Sequence, residues 1–235
     1  MIRYPKFSLT LLYFASSLCI IYELTSVNLE ITPEDEKTFK LVPALSQCQN
    51  SIGSTEAIVS CVSKVQSWLF EKIPNKTCIE PAPFEMQPTE VLENKMGCCY
   101  GRSAFIGKFL QYAGLEIRHV GVWMRKPRPP LNLLKRKTPS HSILEVKTPD
   151  GWMLIGTISK YLGYDSHGHI LNTKQFRDQE LFGDETLEFP RINGKGDFSI
   201  LYGIYSRHGY FYKPFVPLPD IAWSQFLLNF LDNSL

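Results

Sequence analysis

The sequence predicts an α+β domain in which helices pack on one side of an antiparallel sheet. Two helical patterns, over 54–73 and 99–112, come first, and from 115 onward β-branched runs separated by turns replace them. A length of 235 residues suits one compact domain with appendages. A hydrophobic share of 44% with 13% aromatics is enough for a sizeable core and excludes global disorder. The formal charge of +2 gives no bulk attraction to nucleic acid, and none is expected as a partner.

The first appendage is N-terminal. Arg3 and Lys6 precede an apolar stretch from Phe7 to Tyr22 that Glu23 closes, so residues 1–26 read as a signal anchor or a signal peptide. The run is short for a span of about 20 residues and is diluted by Ser8, Thr10, Ser16 and Ser17. No small-x-small cleavage motif follows it directly, which favours an anchor. Basic residues on the N-terminal flank keep that end cytoplasmic and send the rest across. The expected placement is a single-pass membrane protein with its C-terminal domain extracytoplasmic, or a secreted or periplasmic one if the segment is cleaved. Beyond Cys19 lie Cys48, Cys61, Cys78, Cys98 and Cys99. In an oxidising compartment four of these can pair and leave one reactive thiol. Zinc is not expected, because no C-x-x-C or H-x-x-x-H unit occurs. In a eukaryotic lumen, Asn75-Lys76-Thr77 would be a glycosylation acceptor.

Residues 27–53 read as a linker with a short helix. Thr32-Pro33-Glu34-Asp35-Glu36 has the N-cap, proline and acids of a helix start, and reads equally well as an exposed linker. The domain proper is expected over 54–235, with an aromatic C-terminal extension. Its first helix repeats Ile58, Val62, Val65 and Leu69 at helical spacing and stops at Pro74. A proline-rich loop and a short polar helix over 88–96 lead to Gly97-Cys98-Cys99. Phe105, Ile106, Phe109 and Leu110 mark the second helix, ended by Gly114. Strands are predicted over 115–123, 141–147 and 152–158, the last two joined by the turn Thr148-Pro149-Asp150-Gly151. A further strand covers 198–205 and a final helix 221–230.

The chemistry centres on Cys99. A cysteine at a helix start is favoured as thiolate by unpaired backbone N–H groups and the helix dipole. A histidine on a facing strand can serve as its base, and His141 opens such a strand. These residues resemble the transglutaminase-like family. Its pattern of a Gly-x-Cys turn, a small residue four after the cysteine, then a glycine and an arginine is matched by Gly97, Cys99, Ser103, Gly114 and Arg118. Taking Cys98 as nucleophile shifts every match by one. His141-Ser142-Ile143-Leu144-Glu145 matches the family's His-x-x-x-Glu strand, and Trp152 matches the tryptophan of the next. The resemblance spans roughly 54–160 and implies a papain-like thiol hydrolase fold, a nucleophile helix on an antiparallel sheet, with Cys99 and His141 catalytic and no cofactor.

One position departs from it. Four residues after the tryptophan the family carries an aspartate that orients the histidine, and here stands Gly156. Asp150 and Asp165 would need an unusual path to replace it. A slower enzyme is expected, and a carboxylate placed at 156 is expected to move Cys99 alkylation to lower pH. The resemblance therefore supports acyl transfer or amide hydrolysis on a protein, peptide or cell-surface polymer, with an inactive binding module as the alternative.

Several side chains have expected supporting places. Cys98 has Cys61, Cys78 or Cys48 open to it as a disulfide partner, whereas a vicinal bond to Cys99 would be strained and would switch the nucleophile off. Glu145 shares a strand face with His141 and is expected to pair with Arg118. His119, His167, His169 and His208 are expected to be structural or exposed. The stretch 124–140 holds Arg125, Lys126, Arg128, Lys135, Arg136 and Lys137 and no acid, which forms either a basic rim for an anionic substrate or a solvated loop. The run from Tyr202 to Tyr212 is dense in aromatics and suits core packing or a grip on an extended chain.

Overall fold

The computed structural model describes residues 6–74, 79, 82–124, 140–178 and 198–231. The basic run 125–137, the sequon 75–77 and Cys78 lie outside them.

Helix α1 (Lys6–Thr25) has exposed side chains from Thr10 to Glu23. Among the described residues no helix is long and apolar enough to cross a membrane. At its C-terminal end, Tyr22 stacks on Trp223 with ring centroids 6.1 Å apart, and Thr25 Oγ1 accepts the Trp223 indole N–H at 3.1 Å. Helix α2 (Pro33–Phe39) resolves the ambiguity at Thr32 in favour of a helix. Thr32 Oγ1 accepts the Asp35 N–H and Asp35 Oδ2 accepts the Thr32 N–H, each at 3.1 Å, a reciprocal cap. The short helix α3 (Leu45–Gln49), unmarked by any periodicity, is tied to α4 (Thr55–Lys72) by a Cys48–Cys61 disulfide. That bond removes both cysteines from the candidates for Cys98.

Helix α5 (Pro88–Glu93) precedes α6 (Cys99–Tyr112), which is buried along its length from Tyr100 to Leu110. Its apolar residues meet α4 and α2 on one side, where Phe39 packs edge-on against Phe105 and Phe109. On the other side α6 lies on the sheet. A Cβ at Gly107 would stand 3.4 Å from both Ile117 Cδ1 and Leu144 Cδ2, so this face of the helix rests on those two side chains.

The sheet is antiparallel in the order β3-β2-β1-β4, with β1 (Ile117–Met124), β2 (Ser140–Thr148), β3 (Gly151–Ile155) and β4 (Phe198–Tyr202). Strand β3 stops three residues short of the expected 158, because the Gly156 N–H turns to the Tyr161 carbonyl at 2.8 Å. A short helix α7 (Thr173–Asp178), also unpredicted, follows. The expected strand 198–205 breaks at Gly203 (φ +74°), beyond which β5 (Ile204–Ser206) pairs with β6 (Asp220–Ile221) as a separate ribbon. The expected last helix is two short pieces, α8 (Trp223–Phe226) and α9 (Leu228–Leu231).

Alternation along the strands divides the core. Ile117, Leu144, Val146, Met153 and Ile155 belong to the large cluster shared with α4 and α6. Val120, Val122, Ile143, Leu154 and Tyr202 form a smaller cluster with Leu171 and Phe176. Beside the smaller cluster is the expected Arg118–Glu145 pair. Arg118 Nε donates to Glu145 Oε2 at 2.5 Å, and the guanidinium lies between the Trp152 and Tyr202 rings at 4.2 and 4.3 Å. Glu145 Oε1 accepts the Thr173 N–H at 2.6 Å, so the carboxylate also anchors α7. Removing one partner of a buried pair strands the other charge. Glu145→Ala is therefore expected to lower unfolding stability by about 3–5 kcal/mol. Urea denaturation checks this, and a loss below about 1 kcal/mol would show that Arg118 finds compensation elsewhere.

Candidate active site

The turn Gly97-Cys98 hands the chain to α6, whose first residue is Cys99. Cys98 is buried and disulfide-bonded, whereas Cys99 is a half-buried thiol outside any disulfide, so the vicinal bond does not form. Gly101 keeps the first turn slim: a Cβ there would meet Met86 Sδ at 3.2 Å and Val91 Cγ2 at 3.3 Å.

Cys99 and His141 line one cleft. Ser140, His141 and Ser142 all border it, so it takes in both sides of β2 where that strand begins. His141 is itself 4% exposed, and burial pushes its imidazole down to about 3. It is neutral near pH 7, the form that can accept a proton.

Ser142, on the α6 side of β2, belongs to a buried polar chain. Its hydroxyl lies 2.9 Å from His119 Nε2 and 3.3 Å from Ser103 Oγ, and Ser103 Oγ donates to the Tyr100 carbonyl at 2.9 Å. His119 is fully buried and stacks on Tyr205 with centroids 3.7 Å apart. Burial, reinforced by nearby His141 and opposed by the Ile204 backbone, lowers its imidazole to about 3. The expectation of a structural His119 agrees with this packing. His167 and His169 are on an exposed turn. His208 is different: it lines the cleft, a place that no spacing in the sequence signalled.

Trp123 forms another wall. Its ring lies over Gly121, where a Cβ would come within 2.1 Å of the indole. The opposite rim is the 204–211 segment, with Tyr205, Arg207, Tyr210 and Phe211. The expectation of core packing holds within the aromatic run, where Tyr205 and Phe211 also belong to the core. Ser206 holds this rim in place by donating to Asp220 Oδ2 and accepting the Gly209 N–H at 3.0 Å. Burial raises the Asp220 carboxyl to about 6 against the lowering effect of bonds from Ser206 and the Phe211 backbone.

A model of the transglutaminase-like superfamily matches residues 46–156. The chain carries a transglutaminase-like domain. No curated protein matches the chain. A transglutaminase-like domain supports a thiol-enzyme or related function in general, and the matched stretch holds both Cys99 and His141.

Three acids bear on the position where this family has its aspartate. Asp150 lies in the β2–β3 turn, and Asp165 is bonded to His169 Nδ1 at 2.9 Å, which holds its carboxyl at about 2. Asp220 is bonded to Ser206. Among the described residues no acid lines the cleft. Gly156 itself is closed to a side chain: a Cβ would stand 2.9 Å from the Ser159 carbonyl and hydroxyl oxygens and 3.1 Å from the Tyr161 carbonyl. Its own carbonyl accepts the Gln66 side-chain amide from α4 at 2.8 Å. A side chain at 156 would therefore require the turn 156–161 to shift. No clustering of metal-ligating residues occurs among the described residues.

Gly156→Asp is expected to lower stability, by about 1–3 kcal/mol for an overpacked buried site, and to leave the pH profile of Cys99 alkylation unshifted toward acid. Thermal melting and alkylation at several pH values check both. A stable variant with an acid-shifted profile would mean that the 156–161 turn opens to admit the carboxylate.

Proposed function

We propose that the chain is an extracytoplasmic thiol enzyme that hydrolyses an amide or passes its acyl group to an amine. The observation that carries the reading is the shared cleft of a helix-start thiol outside any disulfide, Cys99, and a neutral buried imidazole, His141. In the proposed reaction Cys99 gives its thiol proton to His141 as Sγ bonds to the amide carbonyl carbon, while backbone N–H groups at the start of α6 hold the oxyanion. The C–N bond then breaks and the amine leaves with the proton that His141 delivers. Water or a second amine next attacks the thioester carbon and gives its proton to His141, the C–S bond breaks, and His141 returns the proton to Cys99 Sγ. No cofactor enters these steps. A cleft bordered by Trp123, Tyr205, Tyr210 and Arg207 favours an extended protein, peptide or cell-surface polymer over a small polar metabolite. A second reading, a binding module without turnover, is favoured by the closed position at Gly156, which leaves no family carboxylate behind His141.

The test pairs a fluorogenic amide library with an amine acceptor. The enzyme reading expects turnover that Cys99→Ser abolishes and His141→Ala lowers by about two to four orders of magnitude. Turnover that survives in Cys99→Ser would overturn the assignment. Binding of an amide ligand without turnover would favour the module.

The compartment is supported by the Cys48–Cys61 disulfide, a bond typical of oxidising environments outside the cytosol. We further propose that α1 holds the domain at a membrane, since its side chains from Thr10 to Glu23 are exposed and, Glu23 aside, carry no charge. A C-terminal reporter active only on the far side of the membrane is expected to be active and to sediment with the membrane. Activity of a cytoplasmic reporter instead would sink the placement, and a far-side reporter recovered in soluble form would show that the segment is cleaved.

A further inference from the structure

From Ile221 to Leu231 the chain carries no charged residue. Helices α8 and α9 lie in this stretch, and they turn their amide side chains inward. Gln225 is buried, and its Oε1 accepts the His119 N–H at 2.7 Å. Asn229 Oδ1 accepts the Tyr202 N–H at 2.9 Å, and its Nδ2 donates to the Tyr202 carbonyl at 3.0 Å. Both amides thus face the sheet, where they take up backbone groups of β1 and β4. Leu227 and Phe230 are left outside, 51% and 70% exposed, with Ser224 exposed beside them. Helices on a water-facing surface have the reverse pattern, with apolar side chains inward and polar ones outward. An exposed apolar face built this way calls for an apolar surrounding.

This face is continuous with α1. Phe230 packs edge-on against Phe226 with centroids 5.6 Å apart, Phe226 packs against Trp223 at 5.7 Å, and Trp223 stacks on Tyr22. Ile21 and Tyr22 are themselves 45% and 52% exposed. The Val27 N–H donates to the Ile221 carbonyl at 3.0 Å, which ties the chain leaving α1 to the start of the stretch. An indole and a phenol at the end of an apolar helix suit the boundary between lipid headgroups and acyl chains. A charge-free aromatic surface joined to such a helix fits a bilayer as its occupant.

We propose that the α8–α9 face, with Leu227 and Phe230 outermost, dips into the membrane surface beside α1 as a second lipid contact. This rests on the reading of the domain as held at a membrane. Two contacts fix an orientation, whereas one helix alone leaves a domain free to swing. The cleft follows them, because β6 leads into α8 and pairs with β5, which supplies Ile204, Tyr205 and Ser206 to the cleft. Its rim is thus set relative to the lipid surface, which suits a substrate presented there.

The experiment reconstitutes the full chain in phosphatidylcholine vesicles that contain a lipid with a photoreactive diazirine in its upper acyl chain. Lipid-modified peptides are mapped by mass. Peptides covering α1 and 223–230 are both expected to be modified. Those carrying Leu41 and Ile52, each 63% exposed, are expected to be modified about tenfold less. Leu227→Ser and Phe230→Ser together are expected to lower modification of 223–230 about tenfold and leave that of α1 unchanged. Modification of α1 alone would overturn the second contact and leave the anchor standing. Equal modification at Leu41 and Ile52 would overturn it too, and so would an unchanged level at 223–230 in the serine pair. An unmodified 223–230 that a protein cross-linker joins to a second copy would assign the face to a dimer instead. Modification of 223–230 without α1 would uphold the lipid contact and sink the anchor, and modification of neither would sink both.

Discussion

The seating of α6 against the sheet is the constraint on which the rest of this structure depends. At Gly107 the helix rests on Ile117 and Leu144, and α4 and α2 close over its other side through Phe39, Phe105 and Phe109. A helix packed so closely cannot slide by a turn without losing contacts around its whole circumference. Its first residue therefore comes to rest in one place, at the cleft where β2 begins. Dispersion and burial in the body of α6 thus determine the position of a thiol at its tip.

Polar groups set into that apolar packing specify the arrangement. Lys108 reaches from α6 to Asp35 Oδ2 at 3.2 Å, Gln87 Oε1 at 2.7 Å and the Glu30 carbonyl at 2.8 Å, so each ammonium hydrogen has an acceptor. Burial lowers the Lys108 pKa and Asp35 opposes the change. Arg102 does similar work at the helix start, and Ser103 joins the helix to Ser142 and His119 on the sheet. Such pairs gain little over apolar packing, because desolvation offsets most of the attraction. Misplaced, each would leave a buried charge or hydroxyl without a partner, so alternative seatings of α6 are penalised far more than the native one is favoured.

Much of this was legible in the chain itself. Helical spacing located α4 and α6, and the Pro-Asp-Gly turn located the β2–β3 hairpin. The i, i+4 offset placed Glu145 on the face where it meets Arg118. Helices α3 and α7 escaped notice because five- and six-residue segments carry too few apolar positions to show a period. The break at Gly203 escaped for another reason. A Cβ there would stand 2.5 Å from the Phe226 N atom, so the glycine answers to a close approach from a distant segment.

The sequence by itself determined the order of elements, the face each strand buries and the residue types available to the cleft, because periodicity and turn chemistry are local properties of a chain. Only the tertiary structure decided what those residues meet. It paired Cys48 with Cys61, brought His208 and Arg207 to the same cleft as Cys99, and filled the space beside Gly156 with the backbone of 159–161. For the cleft the deciding quantity is a distance between segments far apart in sequence. Side-chain spacing along one element is silent about such distances, which are set by how several elements pack at once.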